Sequence, residues 1–343
     1  MNASALEAIA QQLVAEHKGI LAADESTGTI QKRLESIGVE STEDTRRAWR
    51  QLLFTTPGIG ESISGVILYN ETIRQSAEDG RRLVELLNAN GVLAGIKVDQ
   101  GAKPLAGSPD EKVTEGLDGL RERLAEYHEL GARFTKWRAV IGIGSGLPSS
   151  YCLSVNAEAL GRFAALSQEA GLVPIVEPEV LMDGDHDIGR CLEVTTATLR
   201  RVFQSLAEQD VHLEGMLLKP NMVLSGKEAP VRAGREAVAS ATILCFRRTV
   251  PAAVPGIVFL SGGQSDAEAT ENLDAINRAA AGQPWELSFS YGRGLQSTPL
   301  TAWGGKAGNV PAAQAAFAHR ARVSSAARMG AYDRAMEQQA AGA

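Results

Sequence analysis

Eight short apolar runs recur along the chain, each breaking off at a polar or charged residue, and the stretches between them carry helical periodicity. The runs are Gly19 to Ala23, Gly65 to Tyr69, Leu93 to Val98, Arg133 to Trp137, Val173 to Val176, Gly215 to Leu218, Ile257 to Leu260 and Leu287 to Tyr291. Their starts lie roughly 30 to 45 residues apart, which is room for a strand, a crossover helix and two loops. Such alternation demands parallel strands with helices outside them. The pattern therefore predicts an α/β fold, an eight-stranded parallel β/α (TIM) barrel. A doubly wound open sheet is the rival, because periodicity alone does not show closure; eight successive units without a shift in composition favour the barrel.

Helix starts are readable from capping residues. Ser41 is expected to head a helix with Glu43 and Asp44 in its first turn and Ala48, Leu52 and Leu53 on one face. Asn156 is expected to open another through Leu160, Phe163, Ala164 and Ser167, and Ser265 with Asp266 a third through Ala269, Leu273 and Ile276. The Ala-rich segment after Pro311 reads as a helix to about Met329. One domain is expected over residues 1–330, including an N-terminal and a C-terminal helical segment, with 331–343 as a frayed, mobile tail.

Composition narrows the function classes. The 343 residues would allow two domains by length alone, but a single α/β barrel also reaches this size. With 44% hydrophobic and 22% charged residues, the chain is neither disordered nor collagen-like. Its 34 Lys plus Arg against 41 Asp plus Glu give a net charge of -7, so no overall basic field recruits nucleic acid or an anionic membrane. A local basic pocket for a small anion is compatible with that balance. Cys152, Cys191 and Cys245 are too far apart in sequence to suggest a disulfide framework or a thiolate metal site. No apolar run is long enough to span a bilayer, and the N-terminal stretch with Leu6, Ile9, Ala10, Leu13 and Val14 is amphipathic without a signal-peptide core. A cytoplasmic location is expected.

In a barrel of this kind the active site lies where the strands end, so the residues that terminate each run are the informative ones. They are Asp24, Asn70, Lys97 with Asp99, Lys136 with Arg138, Glu177 with Glu179, Lys219, Ser261 and Arg293. Packing gives no reason to gather so many ionisable groups around one mouth. Lys219 is the sharpest case, because it follows Met216, Leu217 and Leu218 directly and precedes Pro220. An unperturbed lysine, with pKa about 10.4, is neutral in roughly one molecule in 2,500 at pH 7. Burial beside another cation, for which Lys136 is the candidate, would lower that value and free an amine for carbonyl attack. The bland reading pairs Lys219 with Glu177 or Glu179 as a structural bridge.

Glu177 and Glu179 flank Pro178, and of the two Glu177 is expected to face into the mouth as a proton carrier, if burial offsets the pull of the lysines on its pKa. Asp24 either caps a helix or faces the substrate. Ser261-Gly262-Gly263 closes the seventh run before a helix, and Gly292-Arg293-Gly294 closes the eighth; backbone N–H groups and a guanidinium there suit phosphate. The Gly142–Gly146 stretch lacks the helix and ribose-binding acid of a dinucleotide site and reads as an ordinary loop. Asp183, Asp185, His186 and Asp187 have the composition of a cation site but also of helix caps, and the five histidines show no ligand spacing, so a metal mechanism is not expected.

Taken together, LAADESTGTIQKRL from Leu21, GIKVDQG from Gly95, TKWRAV from Thr135, VPIVEPEVLMDGDHD from Val173, LEGMLLKPNMV from Leu213, FLSGGQS from Phe259 and FSYGRGLQ from Phe289 closely resemble class I fructose-bisphosphate aldolases. The matching stretches span about residues 14–323. The resemblance implies a β/α barrel, no metal, no cofactor, a homotetramer, and reversible cleavage of fructose 1,6-bisphosphate into dihydroxyacetone phosphate and glyceraldehyde 3-phosphate. It implies further that Lys219 forms the Schiff base and that Glu177, Lys136, Asp24 and Arg138 are its active-site companions. Ser261, Gly262, Gly292 and Arg293 then match a 1-phosphate site, with Ser290 beside them. Ser26, Thr29 and Lys97 lie where the 6-phosphate is held, with Lys32 and Arg33 nearby. Fructose 1-phosphate and sedoheptulose bisphosphate are alternative substrates; a catalytically weak binding protein and a metal-dependent aldolase are alternatives of other classes. Many family members end in a tyrosine that assists proton exchange at the enamine, whereas the last tyrosine here is Tyr332, so enamine protonation is expected to differ. Thr29 stands where serine is common and keeps the hydroxyl.

Overall fold

The eight apolar runs form the eight strands of a closed parallel barrel in the computed structural model, which describes residues 2–338. In chain order the strands are β1 (Gly19–Ala23), β2 (Ile63–Leu68), β3 (Leu93–Lys97), β4 (Ala102–Leu105), β5 (Ser108–Thr114), β6 (Phe134–Ile141), β7 (Val173–Val180), β8 (Leu217–Leu218), β9 (Gly256–Phe259) and β10 (Glu286–Tyr291). Around the barrel they run β1-β2-β3-β6-β7-β8-β9-β10 and back to β1, so the open sheet is excluded. β4 and β5 are an antiparallel hairpin outside the barrel that the apolar pattern does not announce. Helices return the chain between barrel strands, among them Ser150–Glu169 after β6, Ile188–Glu208 after β7 and Asp266–Ala279 after β9.

Strand side chains alternate between two cores, as a pleated strand requires. Ile20, Ala22, Ile67, Phe134, Val173, Ile175, Leu217 and Val258 point inward, where the N-terminal helix Ala3–Leu13 closes the bottom with Leu6, Ala10 and Leu13. Leu21, Ala23, Val66, Leu68, Trp137, Val176 and Leu218 point outward into the layer shared with the helices. The inward series becomes ionisable toward the strand ends: Ala22 is followed two residues on by Asp24, Phe134 by Lys136 and Arg138, Ile175 by Glu177 and Glu179, and Leu217 by Lys219. The apolar half of each strand thus fills the barrel, and the same face delivers the polar half to the mouth.

The helix starts are partly revised. Ser265 does cap Asp266–Ala279, accepting Glu268 N–H at 3.2 Å. The third helix of the chain, Glu43–Phe54, is capped by Thr42 rather than Ser41, through a reciprocal bond pair with Thr45. Asn156 is no cap: the helix starts at Ser150 on Ser149, and Asn156 lies buried within it, donating to Lys112 C=O at 2.8 Å to hold the hairpin. The sequence alone did not reveal that hairpin, so the amide had no other visible use. The Ala-rich helix is Val310–Arg328. Beyond Gly330 the chain does not fray at once. Tyr332 is buried with its N–H on Asp274 at 2.9 Å, Glu337 pairs with buried Arg320, and Arg334–Gln338 forms a short 3-10 helix. The remainder of the expected tail, 339–343, lies outside the described residues.

Candidate active site

The barrel mouth holds a cavity of about 860 Å³. Asp24, Lys97, Lys136, Arg138, Glu177 and Lys219 line it together with Ser26, Thr29, Arg33, Ser261, Gly262, Ser290, Gly292 and Arg293. Of the expected site residues only Lys32 is elsewhere, exposed on the outer side of helix Thr27–Glu35. On a helix the neighbours of a lining residue turn away by about 100° each, so Arg33 can face the mouth while Lys32 cannot.

Register sets the level of each group. Lys97 of β3 pairs with Lys136 of β6, Arg138 of β6 with Glu177 of β7, and the Lys219 N–H bonds Val176 C=O at 2.8 Å. β8 is short because Pro220 has no N–H for the ladder, so Lys219 sits where regular pairing ends, with its stem enclosed. Lys219 is only 3% exposed. Its Nζ stands 3.3 Å from Glu177 Oε1, and Lys136 Nζ stands 3.0 Å from Glu177 Oε2 and 2.7 Å from Asp24 Oδ2. One carboxylate therefore separates two buried ammonium groups, and the second ammonium is shared with another carboxylate.

These four groups divide into two kinds. Burial pushes the Lys219 pKa below the ordinary 10.5, and the positive charge of Lys136 adds to the shift, against the pull of Glu177 and Asp24. Burial acts on Lys136 in the same sense but is overcome by Asp24 and Glu177, which hold it protonated. For Glu177, burial favours the neutral acid, yet Lys136, Lys219 and Arg138 prevail and the pKa falls below 4.5. Asp24 is likewise held ionised by Lys136, Lys219 and Lys97 despite burial. The condition attached to Glu177, that burial offset the cations, is therefore not met, and its carboxyl is held ionised. Lys219 is thus paired with Glu177, as the structural reading has it, and its pKa is lowered by burial as well.

Asp24 faces the cavity, and Ser26 rather than Asp24 is the cap residue of helix Thr27–Glu35. Ser26 Oγ lies 3.1 Å from Thr29 Oγ1, and Lys97 Nζ lies over the Tyr69 ring at 5.1 Å, forming one polar corner. A second polar corner joins Ser261, Gly262 and Gly263 to Gly292 and Arg293. Gly262 and Gly263 both have positive φ, 42° and 88°, a backbone shape that turns successive N–H groups toward one point. Ser290 Oγ is fully buried there without a hydrogen-bond partner among the described residues.

Glu179 corrects the reading of VEPE. It lines the same cavity as Glu177 and pairs with Arg138, because residues two apart on a strand share a face. The period of two was the signal that would have found it. Lys227 and Asp183, 2.8 Å apart at the rim, were also missed, since nothing local brings them together. Asp187 caps helix Ile188–Glu208 by accepting Arg190 N–H at 2.8 Å. Among the described residues no group of three or more His, Cys, Asp or Glu is arranged to hold a metal ion.

Known proteins resemble this chain over most of its length. The family model for class-I fructose-bisphosphate aldolase matches residues 5–343. The chain is 54% identical over 331 residues to the probable fructose-bisphosphate aldolase class 1 of Xanthomonas axonopodis pv. citri, covering 96% of this chain and 99% of that one. It is 55% identical over 315 residues to the Arabidopsis thaliana fructose-bisphosphate aldolase 6, cytosolic, covering 92% and 88%. A solved Plasmodium falciparum fructose-bisphosphate aldolase, in complex with TRAP and a small-molecule inhibitor, superposes with a TM-score of 0.95 at 48% identity over 96% of both chains. With this barrel, this mouth and these relatives, the chain belongs to the class I fructose-bisphosphate aldolase family of lyases.

Proposed function

We propose that in the cleavage of fructose 1,6-bisphosphate Lys219 is the nucleophile, Glu177 the proton carrier, Lys136 the electrostatic partner of both carboxylates, and Asp24 the base for the C4 hydroxyl. The single observation that supports this most is the 3.3 Å approach of the buried Lys219 amine to an ionised Glu177. Glu177 takes a proton from the Lys219 ammonium, and the neutral amine adds to C2 of the open-chain ketose. The nitrogen of the adduct passes a proton to the former carbonyl oxygen. Glu177 then protonates that hydroxyl, which leaves as water, and a protonated imine remains on Lys219. Asp24 accepts the C4 hydroxyl proton as the C3–C4 electron pair moves into the imine, releasing glyceraldehyde 3-phosphate and an enamine. Protonation at C3 and hydrolysis return Lys219 and release dihydroxyacetone phosphate. Arg138, paired with Glu179, is placed to meet the sugar hydroxyls beside Glu177.

The two corners are assigned to the two phosphates. Ser261, Gly262, Ser290, Gly292 and Arg293 receive the 1-phosphate, and Ser26, Thr29 and Lys97 the 6-phosphate, with Arg33, whose guanidinium lies beside Gly292, nearby. We further propose a homotetramer by family resemblance, which mass photometry tests, and a cytoplasmic location, in keeping with the plant relatives named cytosolic. Cleavage assays in EDTA with fructose 1,6-bisphosphate, fructose 1-phosphate and sedoheptulose bisphosphate test the substrate assignment. The bisphosphate of fructose should have the highest kcat/KM; faster cleavage of either other sugar, or loss of activity in EDTA, contradicts it.

A further inference from the structure

The loop after β8 returns along the loop after β7 at the rim of the mouth. Gly226 N–H bonds His186 C=O at 2.8 Å, Lys227 N–H bonds Met182 C=O at 2.8 Å, and Glu228 N–H bonds Gly184 C=O at 3.0 Å. The Glu228 carboxylate accepts Gly184 N–H at 2.6 Å. The approach at Gly226 leaves no room for a side chain, since a Cβ there would stand 2.1 Å from Gly184 O. The backbone at Lys227 is therefore pinned, while its side chain is long and flexible. That side chain lies across the opposite loop: a Cβ on Gly263 would stand 2.6 Å from Lys227 Cε and 3.2 Å from its Nζ. The ammonium ends on Asp183 at 2.8 Å, with the two side chains 40% and 62% exposed. A pair so exposed is weak and is readily exchanged for a better anion. Lys227, Asp183, Ser261, Gly263 and Arg293 all line the one cavity.

We infer that Lys227 is a second cation for the phosphate on C1 of the sugar, held by Asp183 in the free enzyme and transferred to the phosphate when substrate binds. A phosphate on the N–H groups of the 261–263 turn would lie beside the Lys227 stem, so the transfer needs only a side-chain rotation. A dianion outcompetes a lone exposed carboxylate for the ammonium. The inference rests on the assignment of that corner to the 1-phosphate, and it adds Lys227 to the binding residues and Asp183 as its resting partner.

The experiment is the affinity of the full chain and its variants for dihydroxyacetone phosphate, whose single phosphate belongs to this end, measured by calorimetry together with KM for fructose 1,6-bisphosphate. Lys227→Met should weaken binding roughly tenfold, the loss of one charge-assisted hydrogen bond, and Lys227→Arg should restore most of it. Asp183→Asn should leave binding unchanged or tighten it by about two- to threefold, because it removes a weak competitor for the ammonium. The double variant should bind like Lys227→Met alone. If the pair is only a strap between loops, both single variants break it and must move affinity in the same direction, which overturns the inference. Arg293→Gln separates the two levels. Should it weaken binding while Lys227→Met stays within about twofold of the parent, the inference falls and the phosphate corner stands. Should Arg293→Gln have no effect, the assignment of the corner falls as well.

Discussion

Asp24 and Glu25 are neighbours just beyond β1, and both are buried carboxylates among cations, yet their partners differ in kind. Asp24 meets lysine: Lys136 at 2.7 Å, with Lys219 beyond it on the shared Glu177. Glu25 meets arginine: it pairs with Arg33, with Arg50 at 2.6 Å, and accepts Gln296 Nε2 at 2.8 Å. Gln296 is itself fixed by Trp49 Nε1 at 3.1 Å and donates to Ala22 C=O at 2.8 Å. A guanidinium does not give up its proton inside a protein, whereas a buried ammonium can. The Glu25 network therefore ties the residue beyond β1 to the last turn of helix Thr27–Glu35 and to Arg50 and Gln296, whereas in the proposed mechanism the Asp24 network moves protons. Density of buried charge is alike in both; exchangeability of the proton is what separates scaffold from chemistry.

The largest expected consequence falls on the lysine side. Lys219→Arg, which keeps the charge and removes the nucleophile, should lower cleavage by on the order of 10⁴-fold or more, measured by coupled assay of triose phosphate release. Lys136→Met should cost about 10²- to 10³-fold, since it strips the shared cation from Asp24 and Glu177. It should also move a pH profile. The rate of imine formation with dihydroxyacetone phosphate should rise with pH as Lys219 deprotonates, with a midpoint below the ordinary 10.5. Removing Lys136 removes a repelling charge, so that midpoint should shift upward; an unchanged or lower midpoint breaks the coupling.

On the arginine side the effect should appear in stability instead. Glu25→Gln leaves Arg50 buried without its anion and should destabilise the fold by about 3 kcal/mol in urea titration, with kcat reduced far less than in Lys136→Met. A variant of normal stability and lost turnover would erase the distinction between the two networks. The smallest effect is expected at the C-terminal segment, whose described residues pack on helix Asp266–Ala279 through Asp274. Ending the chain after Gly330 should lower Tm and leave most turnover intact. A large fall in kcat would give Tyr332 or the residues beyond it a part in the reaction.

The barrel and most of its mouth were legible because two periods coincide. Each apolar run breaks off at a polar or charged residue, and inward positions recur every second residue, so Lys136, Glu177 and Lys219 announce themselves at the ends of apolar runs. What escaped has a different physical origin. The β4–β5 hairpin is mostly polar and half exposed, so it has no apolar alternation to read. Asn156 has the chemistry of a cap, and only a hairpin more than forty residues earlier in the chain explains its place inside a helix. Glu25, Arg50 and Gln296 come from three distant elements, and Lys227 meets Asp183 only through two loops whose course depends on the finished barrel. The family resemblance names Lys32 together with Arg33, but helical rotation separates the two side chains.

The proposed chemistry turns on one nitrogen. Dihydroxyacetone phosphate incubated with the enzyme and reduced by borohydride should leave a stable secondary amine on a single peptide, and mass spectrometry should place the added mass on Lys219. Label on Lys136 or any other lysine, or trapping that persists in Lys219→Arg, would contradict the assignment of the nucleophile and the division of labour built on it.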